Sequence, residues 1–220
     1  MMTRDEIENR MVKFFAKDDP AVTINGCQGH FATPQSHINY YIDVTRLKVR
    51  VNEAEEAAKS LKNKLVNRVS TVDTIVCLDG TEVLGAFLGR ELEKADFHMT
   101  NTHETIYVVK PEENSLHQFM FRTNNRLAIE GKHVIVLAAT ITTGTTISQA
   151  LECIEYYGGT VEGVCSIFST LDRISETQIY SLFTAEDLPG YATYSAHDCP
   201  YCAKKIPLEA MVNGYGYSIL

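Results

Sequence analysis

Short apolar strands alternate with amphipathic helices through the middle of this 220-residue chain, and this alternation constrains the fold most strongly. Residues 74–78 and 133–139 are almost wholly apolar and residues 161–168 mostly so, whereas residues 83–92 repeat apolar side chains every three or four positions. Strands that are apolar on both faces and separated by helices are typical of a parallel sheet with helices on both sides. The sequence therefore predicts an α/β fold, with a mostly parallel twisted sheet flanked by helices.

The two ends of the chain lack this alternation. Thr3 and Glu6 form a capping-box pattern that predicts an N-terminal helix, which we expect to end before Pro20. The remaining terminal stretches are irregular, and we expect them to pack together as a small subdomain, called the hood below. The predicted organisation is an N-terminal helix and hood segment, an α/β core and a C-terminal hood segment, at residues 1–67, 68–185 and 186–220.

Charge and hydropathy exclude several classes of protein. The net charge is −8 at pH 7, whereas proteins that bind the nucleic-acid backbone are normally basic. No apolar run approaches the ~20 residues of a membrane-spanning helix, and the acidic N-terminus does not resemble a signal peptide. We therefore expect a cytoplasmic protein that binds neither nucleic acid nor a membrane, with its six cysteines mostly reduced.

A threonine-rich loop at residues 140–146 carries the strongest chemical signal. It lies between an apolar strand and a helix, at the carboxyl end of the strand, where ligands bind in open parallel sheets. Helix N-termini present free N–H groups and a partial positive charge, which suit a phosphate. A plain strand-to-helix turn with a threonine cap is the alternative. The candidate phosphate-binding residues are Thr142, Thr143, Gly144, Thr145 and Thr146.

Residues 134–147, Val-Ile-Val-Leu-Ala-Ala-Thr-Ile-Thr-Thr-Gly-Thr-Thr-Ile, resemble the phosphoribosyl pyrophosphate (PRPP) motif of type I phosphoribosyltransferases. That motif is an apolar strand, two acidic residues, two variable residues and a Thr-Thr-Gly-like loop. The resemblance extends to residues 29–31, 40–43 and a helix at 52–66, which are similar to the N-terminal part of the orotate phosphoribosyltransferase branch.

This resemblance implies the fold of that family, a homodimer, and an enzyme that transfers a phosphoribosyl group from PRPP to an orotate-like or other nucleobase with Mg²⁺. Residues 142–146 would hold the 5′-phosphate of the phosphoribosyl ligand. Asp79, Gly80 and Thr81 would correspond to the family's pyrophosphate loop, and residues 110–131 to its mobile catalytic loop. The hood would cover the base. The resemblance assigns no catalytic residue in this chain.

The chain departs from the family pattern at three places. Ala138 and Ala139 stand where the family has the two acidic residues that grip the ribose hydroxyls and help to place the Mg²⁺–PRPP complex. The catalytic-loop region keeps only Lys110 and His117 of a basic loop, and no lysine follows residues 31–33. These departures favour a second hypothesis, a catalytically impaired homologue that senses the ligand or acts as a regulatory protein.

A C-x-x-C motif near the C-terminal end has the spacing of half a structural zinc site. A C-x-x-H motif lies in the other hood segment, so a hood built from both ends could bring the two pairs together. A redox pair and two free turn cysteines are the alternatives for the C-x-x-C motif. A zinc-stabilised interaction protein with an empty cleft is a third hypothesis for the whole chain. The predicted structural Zn²⁺ ligands are Cys27, His30, Cys199 and Cys202, with His197 or His37 as substitutes.

Overall fold

The computed structural model describes residues 3–95, 97–116 and 118–220. Its helices are α1 (Arg4–Glu8), α2 (Thr45–Val49), α3 (Val51–Leu65), α4 (Glu82–Lys94), α5 (Thr123–Arg126), α6 (Thr145–Tyr156) and α7 (Pro200–Ala203). Its strands are β1 (Val12–Phe15), β2 (Thr23–Ala32), β3 (His37–Asp43), β4 (Thr74–Cys77), β5 (Tyr107–Val109), β6 (Glu112–Glu113), β7 (Phe119–Met120), β8 (His133–Ile141), β9 (Thr160–Ser169), β10 (Arg173–Ile174), β11 (Thr177–Thr184), β12 (Thr193–Tyr194), β13 (Ala210–Asn213) and β14 (Gly216–Ile219). Among the described residues, no helix is both long enough and apolar enough to cross a membrane.

Five parallel strands form the central sheet, in the order β5-β4-β8-β9-β11, and β10 pairs antiparallel with β11. Helices α3 and α4 pack their apolar sides on one face of this sheet, and α6 packs on the other. Strand β4 is buried along its whole length, as is β8 from Val134 to Ala139. Burial on both faces explains why these strands are continuous apolar runs. The predicted α/β fold is confirmed.

The hood is a second sheet built from both ends of the chain. Its strand order is β12-β3-β2-β13-β14, and β1 pairs with the first half of β2. Strands β2 and β13 lie parallel, with Phe31 opposite Ala210 and Ala32 opposite Met211. The prediction that both chain ends form one small subdomain is therefore confirmed. The exact division at residues 67/68 and 185/186 stays a proposal.

The N-terminal helix is much shorter than the sequence predicts. Thr3 and Glu6 do form the predicted capping box. However, α1 ends at Glu8, so the prediction of a helix that continues toward Pro20 is wrong beyond that residue. Val12–Phe15 instead forms β1, which pairs antiparallel with β2. Valine and phenylalanine favour strands, and the ten-residue β2 is available as a pairing partner. The spacing of apolar residues within 7–15 cannot reveal this partner, because β2 lies outside the segment.

The region that the resemblance assigns to a mobile catalytic loop contains regular structure. Strands β6 and β7 form a short antiparallel hairpin, with Glu112 opposite Met120 and Glu113 opposite Phe119. Helix α5 follows it and leads into the strand β8 that precedes the threonine-rich loop. His117, one of the two basic residues noted in this region, lies outside the described residues.

Candidate functional site

The threonine-rich loop lies where β8 ends and α6 begins, and Gly144 shapes it. Gly144 is the N-cap of α6 and has a φ of +79°, in the left-handed region. A Cβ atom at this position would lie 2.9 Å from Cδ1 of Ile174 and 3.1 Å from Cδ1 of Leu171. The left-handed backbone conformation therefore favours glycine here, and a side chain would also have to displace the terminal methyl groups of Ile174 and Leu171.

Threonine hydroxyls surround this glycine. The side chains of Thr143, Thr145 and Thr146 are exposed, and the Thr143 and Thr145 hydroxyls lie 3.2 Å apart. Thr142 has another role, because its carbonyl accepts a 2.6 Å hydrogen bond from the Thr170 hydroxyl after β9. The free N–H groups of the first turn of α6 point out of the same helix end. The loop thus brings together amide and hydroxyl donors that can bind an anion.

This loop forms one wall of a cleft of about 980 Å³ between the central sheet and the hood. Aromatic side chains of Tyr41, Phe168 and Tyr191 line another part of it. The turn between β13 and β14 and the end of β4 complete the lining. A volume of this size, at the carboxyl edge of a parallel sheet, is typical of a small-molecule site.

The turn after β4 divides into a cleft-facing part and a buried part. Asp79 and Gly80 both adopt left-handed conformations, with φ of +55° and +74°. Asp79 lines the cleft. Thr81 is fully buried, and its hydroxyl donates to the carbonyls of Leu78 at 2.8 Å and Leu137 at 3.0 Å. Asp79 is therefore available to a ligand, whereas the Thr81 side chain fixes the turn.

The Asp79 carboxyl lies beside the segment of β8 that carries no acid. Burial raises the pKa of this carboxyl, while the Lys48 ammonium, the Ala139 N–H and the Lys110 ammonium act in the opposite direction. The side chains of Ala138 and Ala139 are fully buried in β8. A carboxyl from the turn after β4 thus lines the cleft beside a segment of β8 whose side chains at 138 and 139 are buried methyl groups.

Lys48 of α2 fastens this turn to the C-terminal hairpin. Its buried Nζ donates to the carbonyl of Asp79 at 2.7 Å and to the carbonyl of Gly214. The same Nζ lies 5.2 Å from the ring centre of Tyr215, a cation–π contact. Burial lowers the pKa of Lys48. Sequence reasoning missed this residue because its partners are backbone carbonyls 31 and 166 positions away, which leave no motif.

Lys110 adds a positive charge at the same end of the cleft. It lines the cleft after β5, and its Nζ lies 3.4 Å from a carboxylate oxygen of Glu82. The neighbouring Tyr215 hydroxyl and then Glu82 raise the pKa of Lys110 against the opposing effect of burial. The family-like Lys110 is therefore a charged residue of the cleft.

Four side chains from both chain ends form a compact cluster outside this cleft: His30, His37, Cys199 and Cys202, whose ligand atoms all lie within 4.8 Å of one another. Nε2 of His30 lies 3.2 Å from Nδ1 of His37 and 3.4 Å from Sγ of Cys199. Sγ of Cys202 lies 3.8 Å from the first of these nitrogens and 3.4 Å from the second. A tetrahedral zinc ion with bonds of about 2.0–2.3 Å holds its ligand atoms roughly 3.3–3.8 Å apart. The cluster therefore has the donors and the spacing of a metal site.

The surrounding structure orients these ligands. His30 is buried where the register between β2 and β3 shifts, and its Nδ1 lies 3.0 Å from the carbonyl oxygen of Ile206. An Nδ1–H that donates to this carbonyl leaves Nε2 free to bind a metal, the usual arrangement of metal-bound imidazoles. Cys199 caps the short α7, so Cys202 follows about one turn later on the same side. Burial and the nearby His30 lower the pKa of His37, which favours the neutral imidazole that a metal requires.

Cys27 does not join this cluster, and the predicted ligand set is corrected at that position. Cys27 of β2 lies opposite Tyr41 of β3 and packs in the apolar cluster with Phe31. Burial raises the pKa of its thiol to about 11, which disfavours the thiolate. His30 lies inside the register shift and faces His37, whereas Cys27 lies before the shift in the apolar cluster, so the C-x-x-H spacing does not bring the two side chains together. His37 takes the place of Cys27, and His197 is exposed outside the cluster.

Comparison with known proteins gives a fold but no sequence family. No protein-family model matches the chain. The structure is similar to UMP synthase of Leishmania donovani, with a TM-score of 0.52 and 13% identity over 73% of this chain and 34% of that one. Adenine phosphoribosyltransferase of Thermoanaerobacter pseudethanolicus gives a TM-score of 0.49 and 17% identity over 83% and 99% of the two chains. Orotate phosphoribosyltransferase of Aeropyrum pernix gives a TM-score of 0.48 and 16% identity, over 84% of this chain and 94% of that one.

Proposed function

Because the chain has the fold of the type I phosphoribosyltransferases, we propose that its cleft binds a 5′-phosphorylated ribose compound, either PRPP or a nucleotide. The observation that carries this proposal is the loop at residues 142–146. Its left-handed Gly144 and the exposed hydroxyls of Thr145 and Thr146 stand at the head of a 12-residue helix. Free N–H groups, hydroxyl donors and the positive end of the helix dipole together suit a phosphate dianion.

The rest of the cleft suits the remainder of such a ligand. The half-buried ring of Tyr191 offers an apolar surface to a flat, orotate-like or other nucleobase. The buried rings of Tyr41 and Phe168 lie behind this wall, and the Phe168 ring centre is 5.2 Å from that of Tyr191. Lys48 and Lys110 place positive charge near the turn after β4, where a pyrophosphate group would lie if this turn acts as the family's pyrophosphate loop. The base, the 5′-phosphate and the pyrophosphate of such a ligand would then each meet a surface of matching chemistry.

We propose transfer of the phosphoribosyl group as the reaction. The bond from the ribose C1 to pyrophosphate breaks and its electron pair leaves with pyrophosphate, so positive charge develops on the sugar. A nitrogen of the base forms the new bond to C1 and releases its proton to solvent. A Mg²⁺ ion bound with PRPP supplies neutralisation of the leaving pyrophosphate. Mg²⁺ is commonly held by one or two carboxylates together with substrate phosphate oxygens. Asp79, whose carboxyl lines the cleft, could supply one such carboxylate ligand.

A second candidate function is ligand binding without turnover. The fully buried methyl groups of Ala138 and Ala139 favour it, since they cannot contact a cationic sugar. Loss of one preorganised electrostatic stabiliser typically costs about 3–4 kcal/mol of transition-state stabilisation. Asp79, in the turn after the neighbouring strand β4, is the group that would decide whether this loss is offset.

Calorimetry and a product assay separate these candidates. PRPP, ribose 5-phosphate and nucleoside monophosphates are titrated with and without Mg²⁺, and pyrophosphate release is measured with a panel of bases. Mg²⁺-dependent release establishes the enzyme, and binding without release establishes the non-catalytic homologue. Absence of binding to all these compounds contradicts the proposed function and leaves a zinc-stabilised interaction protein with an empty cleft.

We propose a structural Zn²⁺ ion at His30, His37, Cys199 and Cys202. Two thiolates and two imidazoles in a closed set of four are typical of zinc sites that stabilise a fold rather than perform catalysis. Elemental analysis of protein purified without a metal-affinity column is expected to give about one zinc per chain. Cys202→Ala is expected to lose the metal, whereas Cys153→Ala, at a half-buried thiol of α6 outside the cluster, retains it.

We further propose a cytoplasmic homodimer. The resemblance to the orotate branch supports the dimer, and the free state of all six cysteines supports a reducing compartment. Light scattering coupled to gel filtration measures the oligomeric state, and a mass of one chain contradicts the dimer.

A further inference from the structure

The hairpin turn between β2 and β3 connects the metal cluster to the phosphate loop. Residues 33–36 form this turn. The hydroxyl oxygen of Thr33 accepts hydrogen bonds from the backbone N–H of Ser36 at 2.9 Å and from that of Gln35 at 3.2 Å, which closes the turn. The N–H of Thr33 also donates to the carbonyl of Ser36 at 2.7 Å. The turn is therefore a small, internally bonded unit that moves with the two strands that carry it.

The side chain of Gln35 reaches from this turn to the phosphate loop. Its Oε1 accepts a 2.7 Å hydrogen bond from the hydroxyl of Thr143, a residue 108 positions away. Gln35 is itself exposed and lines the cleft. Because Oε1 is engaged by Thr143, the two N–H donors of Nε2 are left for another acceptor.

Both strands that carry this turn also carry a residue of the metal cluster. His30 lies near the end of β2 and His37 at the start of β3. An ion bound to these two imidazoles and to Cys199 and Cys202 would join the two strands to the C-terminal segment at the base of the turn. The position of Gln35 over the loop would then depend on the occupancy of the metal site.

We propose that Gln35 is a phosphate-binding residue contributed by the hood, and that metal at His30, His37, Cys199 and Cys202 holds it in place. Its Nε2 donates to the same 5′-phosphate that residues 142–146 bind, so the inference rests on the proposed function. Metal binding and phosphate binding are then thermodynamically coupled, and each increases the affinity for the other by the same factor.

A binding cycle with the whole protein tests the proposal. The affinity for ribose 5-phosphate is measured for the zinc-loaded wild type, for the same protein after chelation, and for Gln35→Ala in both states. We expect Gln35→Ala to weaken zinc-loaded binding about tenfold, since hydrogen bonds to charged groups are among the stronger ones. Chelation is expected to weaken wild-type binding about fivefold or more and to leave the variant nearly unchanged.

Three outcomes overturn the inference. Unchanged affinity in zinc-loaded Gln35→Ala removes Gln35 from the phosphate site. Equal weakening of both proteins on chelation means that metal acts only through general stability of the hood. Absence of zinc binding removes the coupling altogether.

Hydrogen exchange keeps the inference testable if ribose 5-phosphate does not bind, a result that would contradict the proposed function instead. Without any ligand, we expect chelation to increase amide exchange in residues 140–146 of the wild type. In Gln35→Ala, the same segment is expected to exchange rapidly with or without zinc. Unchanged exchange in the wild type after chelation contradicts the link between the two sites.

Discussion

Gly144 shows how one residue can determine the shape of the threonine-rich loop. It combines a left-handed backbone with close approach to the terminal methyl groups of Ile174 and Leu171. The local sequence identified this residue, because a glycine between threonines at the start of a helix is a chemical pattern in itself. Lys48 and Gln35 left no comparable signal, since each acts through a partner that is distant in sequence.

Gly144→Ala is expected to weaken ribose 5-phosphate binding at least tenfold, because the loop must move to relieve both the backbone strain and the clash with Ile174. Calorimetry measures the effect. Gly131→Ala is the matched control, since Gly131 also has a positive φ, +67°, but has no neighbour within 4 Å of an added Cβ. Equal loss of affinity in both variants would contradict a specific role for Gly144.

Asp79→Asn tests the carboxyl that faces the cleft. Burial raises the pKa of Asp79 in the folded protein above that in the unfolded chain. The free energy of unfolding therefore falls as the pH rises from the unfolded pKa to the folded pKa, because the unfolded chain ionises first. The variant lacks this cost, so it should match the wild type near pH 3 and be more stable at pH 7. Asparagine cannot supply a charged ligand, so the Mg²⁺ dependence of PRPP binding is expected to disappear. Urea unfolding at the two pH values, together with calorimetry, measures both effects.

An unchanged Mg²⁺ dependence in Asp79→Asn would exclude this carboxyl from the metal–PRPP site. A variant that is less stable than the wild type at pH 7 would show that the interactions with Lys48 and Ala139 outweigh the cost of burial.

At the scale of elements, Asp73 joins three segments at the amino end of the central sheet. Its buried carboxylate accepts hydrogen bonds from the N–H of His133 at 2.9 Å and from the hydroxyl and N–H of Thr100. Burial alone would raise the pKa of Asp73, but these hydrogen bonds outweigh it and the pKa is lowered. The carboxylate thus connects β4, β8 and the segment before β5.

Asp73→Ala is expected to lower the free energy of unfolding at pH 7 by about 2–4 kcal/mol, because it leaves several buried donors without an acceptor. A carboxyl with a lowered folded pKa contributes stability above its unfolded value, and the contribution is lost as pH falls through the folded value. The difference between wild type and variant should therefore shrink below about pH 4. A difference that is independent of pH in urea unfolding would contradict the ionised role of Asp73.

The sequence predicted the elements of the central sheet well and those of the hood less well, for a physical reason. Buried parallel strands and the helices α3, α4 and α6 leave continuous or periodic apolar patterns. The hood strands are specified by partners far along the chain, as when β1 pairs with β2 in place of the expected helix. Distance along the sequence also limited the prediction of the zinc ligands. Both cysteines of the C-x-x-C motif lie in the observed cluster, but the sequence did not show that the strand directs Cys27 away from it.

At the scale of the whole molecule, the metal cluster connects the two halves of the hood. We expect chelation to lower the melting temperature by at least about 6 °C. A loss of several kcal/mol on removing a structural ion corresponds to a few degrees per kcal/mol in a chain of this size. Readdition of zinc should restore the original value. Differential scanning fluorimetry of the wild type and Cys153→Ala should show the same shift, whereas Cys202→Ala should start from the lower value and respond little to zinc.

The parallel pairing of β2 with β13 also bears on how the protein forms during translation. The backbone N–H of Glu209 bonds to the carbonyl of His30 across 179 positions, so an early strand acquires this neighbour only after nearly the whole chain has been made. At about 5–20 residues per second, the ribosome needs roughly ten to forty seconds to cover that interval. During this time the edge of β2 that faces away from β3 has no strand beside its second half. An unpaired edge of this kind is open to pairing with another chain, so we expect aggregation to compete with folding until β13 is made.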